Sequence, residues 1–241
     1  MPRWTFFGAA ALVLTLAFVL LARRSAVAVR AALAARADPD APPQPAVAVL
    51  ESDRLLAVNV LASHGLVLVV LASVGWYAAV PVEALGVGVP TGGTLASGAA
   101  LGLALAAGNE ASARLADRLG FDRDERLRGL LAPDSPAGWL ALLVVVLPLV
   151  AAAEELLFRA VLIGGLAAGF GVSPWLLVFA SSVAFGLGHG LQGVAGVAVT
   201  AALGLALGAA FVLTGSLAVV VVAHYLVNAL EFLLNERPSS A

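Results

Sequence analysis

Long apolar runs dominate this chain, and a few charged or proline-rich segments separate them. A membrane-spanning helix needs about 20 mostly apolar residues, and seven runs approach or exceed that length. They cover residues 4 to 22, 55 to 80, 94 to 108, 139 to 170, 174 to 189, 194 to 213 and 216 to 234. None shows the strand-period alternation of a membrane barrel. The pattern predicts an all-α polytopic membrane protein, a bundle of about seven transmembrane helices.

The segments between the runs differ in composition. The pair Arg23 and Arg24 directly follows the first run and favours a retained membrane anchor over a cleaved signal peptide. Residues 25 to 37 are rich in alanine and predict a helix that lies at the membrane interface. The proline-rich residues 39 to 45 predict a helix-breaking linker, and residues 109 to 138, rich in charge, predict a solvated loop with a short helix.

These boundaries divide the chain into four parts. They are residues 1–54 (an N-terminal membrane anchor, interfacial segment and Pro-rich linker), 55–138 (two transmembrane helices and a charged loop), 139–235 (a core that carries the polar motifs) and 236–241 (a polar tail). Arginines cluster in residues 23 to 54 and 109 to 138, and the positive-inside rule makes both segments cytoplasmic.

Composition supports a membrane location and excludes several kinds of site. Hydrophobic residues make up 61% of the chain and charged residues 12%, whereas a soluble domain carries roughly 25% charged residues. We therefore expect a multi-pass integral membrane protein, in the plasma membrane, with the lipid bilayer as its surroundings. Absence of cysteine excludes disulfides, thiolate metal sites and a cysteine nucleophile. The net charge of -2 argues against nucleic acid as a partner.

Only a few polar side chains lie within the runs of the second half of the chain. Ionisable groups are costly at membrane depth and usually face a polar cavity with a function. Glu155 and Arg159 are four residues apart, which places them on one face of a helix and predicts an ion pair. Glu154 is rotated about 100° from Glu155 and remains available for chemistry. His224 and Asn228 form a second pair four residues apart, and His189 ends another run.

Two interpretations of this polar set remain open from the residues alone. A buried polar network could simply hold the helices together. Alternatively, a carboxylate and two imidazoles can hold and deprotonate a water molecule, and an asparagine amide can stabilise an oxyanion. That second arrangement would be a hydrolase active site inside the bundle. His64, in the second run, belongs to neither pair, and we interpret it as structural or interfacial.

Three motifs in this order resemble those of a known family. The segments "EELLFR" (154 to 159), "FGLGH" (185 to 189) and "HYLVN" (224 to 228) resemble the EExxxR, FxxxH and HxxxN motifs of the CPBP family. This family comprises CAAX prenyl proteases and bacteriocin-processing intramembrane proteases, also called Abi. The resemblance covers roughly residues 139 to 235 and identifies this part as a CPBP-like catalytic core.

The resemblance also implies roles for the motif residues. Glu154 would activate the hydrolytic water, His189 and His224 would position it, and Asn228 would support the oxyanion. Glu155 and Arg159 would orient these groups. Members are often labelled metalloproteases, so an alternative is a zinc ion bound by Glu154, His189 and His224, since catalytic zinc sites have three protein ligands. We favour a glutamate-dependent mechanism that needs no cofactor.

The function predicted from the sequence is that of a CAAX-type intramembrane endopeptidase. It would hydrolyse a peptide bond of a membrane-associated or prenylated-type peptide substrate, with water activated by Glu154 and positioned by His189 and His224. The alternative is a non-proteolytic membrane protein of the same family, such as an immunity factor, a scaffold or a small transporter. The resemblance further implies a site open to the cytosol, with the glutamate helix entering from the opposite side of the membrane.

Overall fold

The computed structural model describes residues 1 to 36, 52 to 120 and 126 to 236, and in these ranges the protein is all-helical. Eight helices follow one another: α1 (Trp4–Arg36), α2 (Asp53–Tyr77), α3 (Gly92–Arg118), α4 (Arg126–Leu131), α5 (Pro136–Phe170), α6 (Pro174–Gly188), α7 (Gly193–Thr214) and α8 (Leu217–Asn235). Short 3₁₀ turns at Val82–Leu85 and Gly190–Gln192 lie in the connections before α3 and α7. The predicted all-α fold is confirmed.

Each of the seven predicted apolar runs lies mainly within a helix. In the described part of the chain, five helices are long and apolar enough to cross a membrane: α1, α2, α5, α7 with its preceding turn, and α8. The apolar helix α6 has only 15 residues. Large apolar side chains such as Leu66 and Val69 on α2, each 64% exposed, face outward. These features describe a multi-pass membrane bundle whose outer surface suits lipid.

Helix α1 is longer than the first apolar run. It continues without a break to Arg36, so residues 25 to 36 extend the anchor helix in the same direction. The alanine-rich sequence favours this continuation, because alanine has the highest helix propensity and neither proline nor a second glycine follows Gly8. The predicted linker at 39 to 45 lies outside the described residues, as does the polar tail beyond Glu236.

The charged segment 109 to 138 contains more helix than the sequence predicted. Helix α3 extends ten residues into it, to Arg118, where a solvated loop was expected. One cause is an ion pair along the helix: Arg114 Nε lies 2.9 Å from Glu110 Oε1, one turn earlier. The predicted short helix corresponds to α4, and residues 121 to 125 lie outside the described ranges.

Helix α5 carries the glutamates and contains two π-helical stretches. The first, Leu142–Val146, ends just before Pro148, and the N–H of Leu147 bonds to the carbonyl of Leu142 five residues earlier. A proline lacks an N–H and disturbs the regular ladder at this point. The second stretch, Leu156–Gly165, begins directly after Glu155. Eight of its ten residues are buried, so this part of α5 forms the centre of the bundle.

Helix contacts define two ends of the bundle. At the first, the N–H of Arg3 bonds to Ala78 after α2, and the N–H of Leu217 bonds to Gly86. We call this the Tyr77 end. At the other, Arg128 of α4 forms ion pairs of 2.9 Å with Glu231 and with Glu236, near the end of α8. We call this the Arg128 end, and α5 begins there at Pro136.

Candidate active site

The buried carboxylate of Glu155 joins three helices. Its Oε1 accepts hydrogen bonds from an Arg159 guanidinium nitrogen at 2.7 Å and from Nδ1 of His224 at 2.6 Å. Arg159 also donates to the carbonyl of Gly204 on α7 at 3.2 Å, and its guanidinium lies 4.6 Å from the ring centre of Phe185. The predicted pair between Glu155 and Arg159 is present, and through it α5 fixes the ring of His224 on α8.

Glu154 points to a different side of α5 and is surrounded by imidazoles. Nε2 of His64 lies 3.8 Å and Nε2 of His189 lies 4.0 Å from Oε1 of Glu154. Nε2 of His224 lies 3.6 Å from the second oxygen, Oε2. The chain contains three histidines, and all of them meet at this carboxylate, from α2, from the end of α6 and from α8.

The hydrogen bonds of the histidines determine which ring nitrogen carries a proton. Nδ1 of His64 lies 2.9 Å from the carbonyl oxygen of Val60, and Nδ1 of His189 lies 2.8 Å from that of Phe185. A carbonyl oxygen can only accept, so both Nδ1 atoms donate. Nδ1 of His224 likewise donates to the carboxylate of Glu155. In the neutral rings, Nε2 therefore presents a lone pair towards Glu154.

The atoms that face one another around Glu154 are all hydrogen-bond acceptors, so a donor is needed between them. Four groups, the carboxylate of Glu154 and three Nε2 atoms, face each other across gaps of 3.6 to 4.0 Å. A water molecule supplies two O–H donors and can bridge a carboxylate and an imidazole. The arrangement can thus hold a water molecule against a carboxylate that is placed to take its proton.

Asn228 and the cavity complete the site. Asn228 lies one turn after His224 on α8, and both line a cavity of about 330 Å³ together with Glu154, His64 and His189. Apolar side chains from α5, α7 and α8 form much of the remaining wall, and the cavity extends to Arg128 and Glu231 at the Arg128 end.

A zinc site at Glu154, His189 and His224 would need their ligand atoms around one common point. Zinc binds nitrogen and oxygen ligands at about 2.0 to 2.2 Å from a common point. Within the described ranges, no group of three or more histidine, aspartate or glutamate side chains is arranged to hold a metal ion. As placed, Glu154, His189 and His224 do not form such a ligand set.

The position of His64 differs from the interpretation drawn from the sequence. His64 matches no motif, yet its ring faces Glu154 at nearly the same distance as His189. The sequence did contain a signal: an imidazole within an apolar run is costly and usually faces a polar site. Its partner, however, lies 90 positions later in the chain, and only the packing of α2 against α5 brings the two together.

Comparison with known proteins gave one family match. Residues 136–230 match the family model described as "Type II CAAX prenyl endopeptidase Rce1-like". No curated protein and no solved structure matches the chain. The matched segment contains Glu154, Glu155 and Arg159 together with His189, His224 and Asn228, whereas His64 lies outside it. Residues 136–230 are therefore similar to the Rce1-like group of CAAX prenyl endopeptidases, in agreement with the resemblance that the three motifs carry.

Proposed function

We propose that this protein is an intramembrane endopeptidase that hydrolyses a peptide bond of a membrane-associated or prenylated-type peptide. The observation that carries the proposal is the surroundings of Glu154. Its carboxylate lies on the wall of a cavity within the bundle and faces imidazole Nε2 atoms on both of its oxygens. The family match to CAAX-type endopeptidases supports the same chemistry.

The reaction begins with the water molecule held at Glu154. Oε1 or Oε2 takes one proton while an imidazole Nε2, of His189 or His224, accepts the second hydrogen in a hydrogen bond. The water oxygen forms a bond to the carbonyl carbon of the peptide, and the carbonyl π electrons move onto its oxygen. Asn228, on the same cavity wall, supplies an amide N–H that stabilises this oxyanion.

Collapse of the tetrahedral intermediate completes hydrolysis. The carbonyl re-forms, the C–N bond breaks, and the leaving nitrogen receives the proton that Glu154 had taken. Glu154 returns to the carboxylate state, so each turnover consumes one water molecule and one peptide bond. Glu155 and Arg159 contribute by orientation: their ion pair keeps Nδ1 of His224 protonated and Nε2 directed at Glu154.

The cavity suggests the kind of substrate. Its walls include Val60 of α2, Val146 and Val150 of α5, and Phe232 of α8, which suit an apolar group or an extended apolar segment. The polar residues are concentrated at Glu154 and at the Arg128 end. A peptide attached to the membrane has an apolar part, either a prenyl group or its own apolar segment, that suits the apolar walls. Its polar backbone suits the polar residues. The plasma membrane is the location that we propose.

Glu154→Gln tests the proposal. The amide keeps the shape of the side chain but cannot take a proton from water, so we expect kcat to fall by about 10²-fold to 10⁴-fold. The measurement uses a farnesylated peptide that ends in a C-a-a-X sequence, with a fluorophore and a quencher on either side of the modified cysteine. Glu83→Gln is the matched control, because Glu83 is an exposed glutamate at the Tyr77 end.

Two results would contradict the proposal. Turnover of Glu154→Gln at the wild-type rate would remove Glu154 from the chemistry. Failure of the wild-type protein to cleave the farnesylated peptide, its unmodified form or an apolar spanning peptide would favour a non-proteolytic role. The variant must also insert into membranes and remain monodisperse, so that a loss of rate is a loss of chemistry.

A further inference from the structure

His64 lies in the site although no motif includes it. It belongs to α2, outside the family-matched residues 136–230. Its Nε2 is 3.8 Å from Oε1 of Glu154, compared with 4.0 Å for the motif residue His189. Both rings therefore approach the same oxygen, while His224 approaches the other. We propose that His64 is a third imidazole of the catalytic centre, which holds the hydrolytic water beside Glu154.

The local structure of α2 fixes the His64 ring for this role. Val60, one turn earlier, accepts a hydrogen bond from Nδ1 at 2.9 Å, so Nε2 carries the lone pair and faces the carboxylate. Val60 and Leu61 pack against the cluster that contains Val146 and Leu147 of α5. This contact holds α2 beside the helix of Glu154. The His64 side chain is 17% exposed and lines the same cavity as Glu154.

The geometry assigns His64 a definite task in the proposed reaction, on which this inference rests. A water at Oε1 gives one proton to Glu154 and directs its second hydrogen to an acceptor beside that oxygen. His64 and His189 both lie on this side, and one of them accepts that hydrogen while the other ring helps to confine the water as its lone pair attacks the peptide carbonyl. His64 only accepts a hydrogen bond in this step. The transfers of atoms and protons therefore remain those of the proposed water attack and collapse of the intermediate.

The first test needs no substrate. In full-length protein labelled with ¹⁵N-histidine, three rings give three sets of ring-nitrogen signals, which single His→Gln variants assign. We expect the ¹⁵N signal of His64 Nε2 to shift in Glu154→Gln, together with those of His189 and His224. The His64 signal should stay unchanged in the control Glu83→Gln. A His64 signal that does not respond to Glu154→Gln, while the other two do, would overturn the inference.

The second test distinguishes the role of His64 Nε2 as a hydrogen-bond acceptor from the role of the ring in packing. His64→Leu removes the acceptor, and His64→Gln restores one with its side-chain oxygen. For the farnesylated peptide we expect His64→Leu to lower kcat by about 10-fold to 100-fold with KM within about twofold, as for a lost hydrogen bond. His64→Gln should recover part of this loss. Leu66→Ala, an exposed position on the same helix, is the control and should retain the wild-type rate.

The two proposals fail in distinguishable ways. An active Glu154→Gln variant would overturn the proposed function. An inactive Glu154→Gln variant combined with fully active His64→Leu would overturn only the role of His64. Equal losses in His64→Leu and His64→Gln, with lowered melting temperatures, would make His64 a packing residue and likewise contradict the inference. If the wild-type protein leaves the peptide uncut, the ring-nitrogen signals decide the placement of His64.

Discussion

At the scale of single residues, Glu155 and Arg159 show why charges are present at membrane depth. Their side chains are 0% and 1% exposed, and one oxygen of Glu155 serves both Arg159 and His224. A buried charge is costly, and the pair is tolerable because each group compensates the other. The pair should therefore couple stability to the orientation of His224, the histidine proposed to position water.

Removing one partner of this pair tests the coupling. Arg159→Ala leaves Glu155 buried without its cation, so we expect the free energy of unfolding to fall by about 3 to 5 kcal/mol. Activity should fall as well, because Glu155, which orients His224, loses the cation that holds its carboxylate in place. Thermal unfolding and the rate with the farnesylated peptide are measured together. An inactive variant with an unchanged melting temperature would instead place Arg159 in contact with substrate.

The chain offers a matched control for this experiment. Arg114 also pairs with a glutamate four residues earlier, Glu110, but its side chain is 71% exposed. Pairs of this kind on a surface helix contribute about 0.3 to 0.5 kcal/mol. Arg114→Ala should thus change the melting temperature little. Equal effects of Arg114→Ala and Arg159→Ala would contradict the special role of the buried pair.

The question of metal dependence also belongs to the residue scale. If Glu154, His189 and His224 only hold water, prolonged chelation should leave peptide cleavage intact and the purified protein should contain little zinc. His189→Ala and His224→Ala should both be inactive. Elemental analysis and the peptide assay measure these quantities. One zinc per chain, with activity lost on chelation and restored by zinc alone, would show that the glutamate-dependent mechanism is wrong.

At the scale of elements, glycines allow α3 to lie directly against α8. A Cβ at Gly98 would come within 2.8 Å of the carbonyl oxygen of Val219, and one at Gly102 within 2.9 Å of that of Ala223. Contact between helices at small residues is a common way to pack a membrane bundle. Because Ala223 precedes His224, we expect the α3–α8 contact also to set the position of the His224 ring at the candidate site.

A single added methyl group, in Gly102→Ala, tests whether the α3–α8 contact controls the site. Gly102→Ala places a Cβ against the backbone of α8, so we expect a lower melting temperature and a lower rate of peptide cleavage. Gly108→Ala is the control on the same helix, since a Cβ there meets no atom within 4 Å. Alanine favours the helix at both positions by up to about 1 kcal/mol. If both variants behave alike, packing at Gly102 does not control the site.

At the scale of the whole molecule, the cavity and most of the arginines lie at the same end. The cavity extends to Arg128, and the described parts of both clusters predicted to be cytoplasmic, within residues 23 to 54 and 109 to 138, lead to this end. The connections at the Tyr77 end, residues 78 to 91, 171 to 173 and 215 to 216, contain no arginine or lysine. The positive-inside rule therefore predicts that the cavity opens to the cytoplasm. Helix α5 begins at this same end, so a cytoplasmic cavity would place the start of α5 at the cytoplasm, whereas the family resemblance implies that this helix enters from the opposite side.

Cysteine labelling can test this orientation, because the natural chain has no cysteine. Val89 and Asp134 are exposed residues at the Tyr77 end and next to the start of α5, respectively. In intact cells, a membrane-impermeant maleimide should label Val89→Cys, and it should label Asp134→Cys only after permeabilisation. The reverse pattern would place the cavity on the outside. Activity of both variants with the farnesylated peptide verifies that they are folded.

The sequence by itself determined the features that depend on local spacing. Apolar runs predicted the helices because a membrane span needs a continuous apolar stretch, and the three motifs predicted a family resemblance over roughly residues 139 to 235, close to the matched residues 136–230. The pairing of Glu155 with Arg159 was also predictable, because four residues along one helix bring two side chains together whatever the rest of the fold does.

Tertiary structure alone decided the features that depend on how the helices pack. His64 and Glu154 are 90 positions apart, and no periodicity along the chain relates α2 to α5, so their 3.8 Å approach could not be deduced. The same holds for the end of the bundle at which the cavity lies. The extension of α3 to Arg118 was missed for a different reason: charge alone suggested solvent, but charged residues also pair along a helix surface. Local spacing thus specifies the parts of the site, and the packing of separate helices specifies which parts meet.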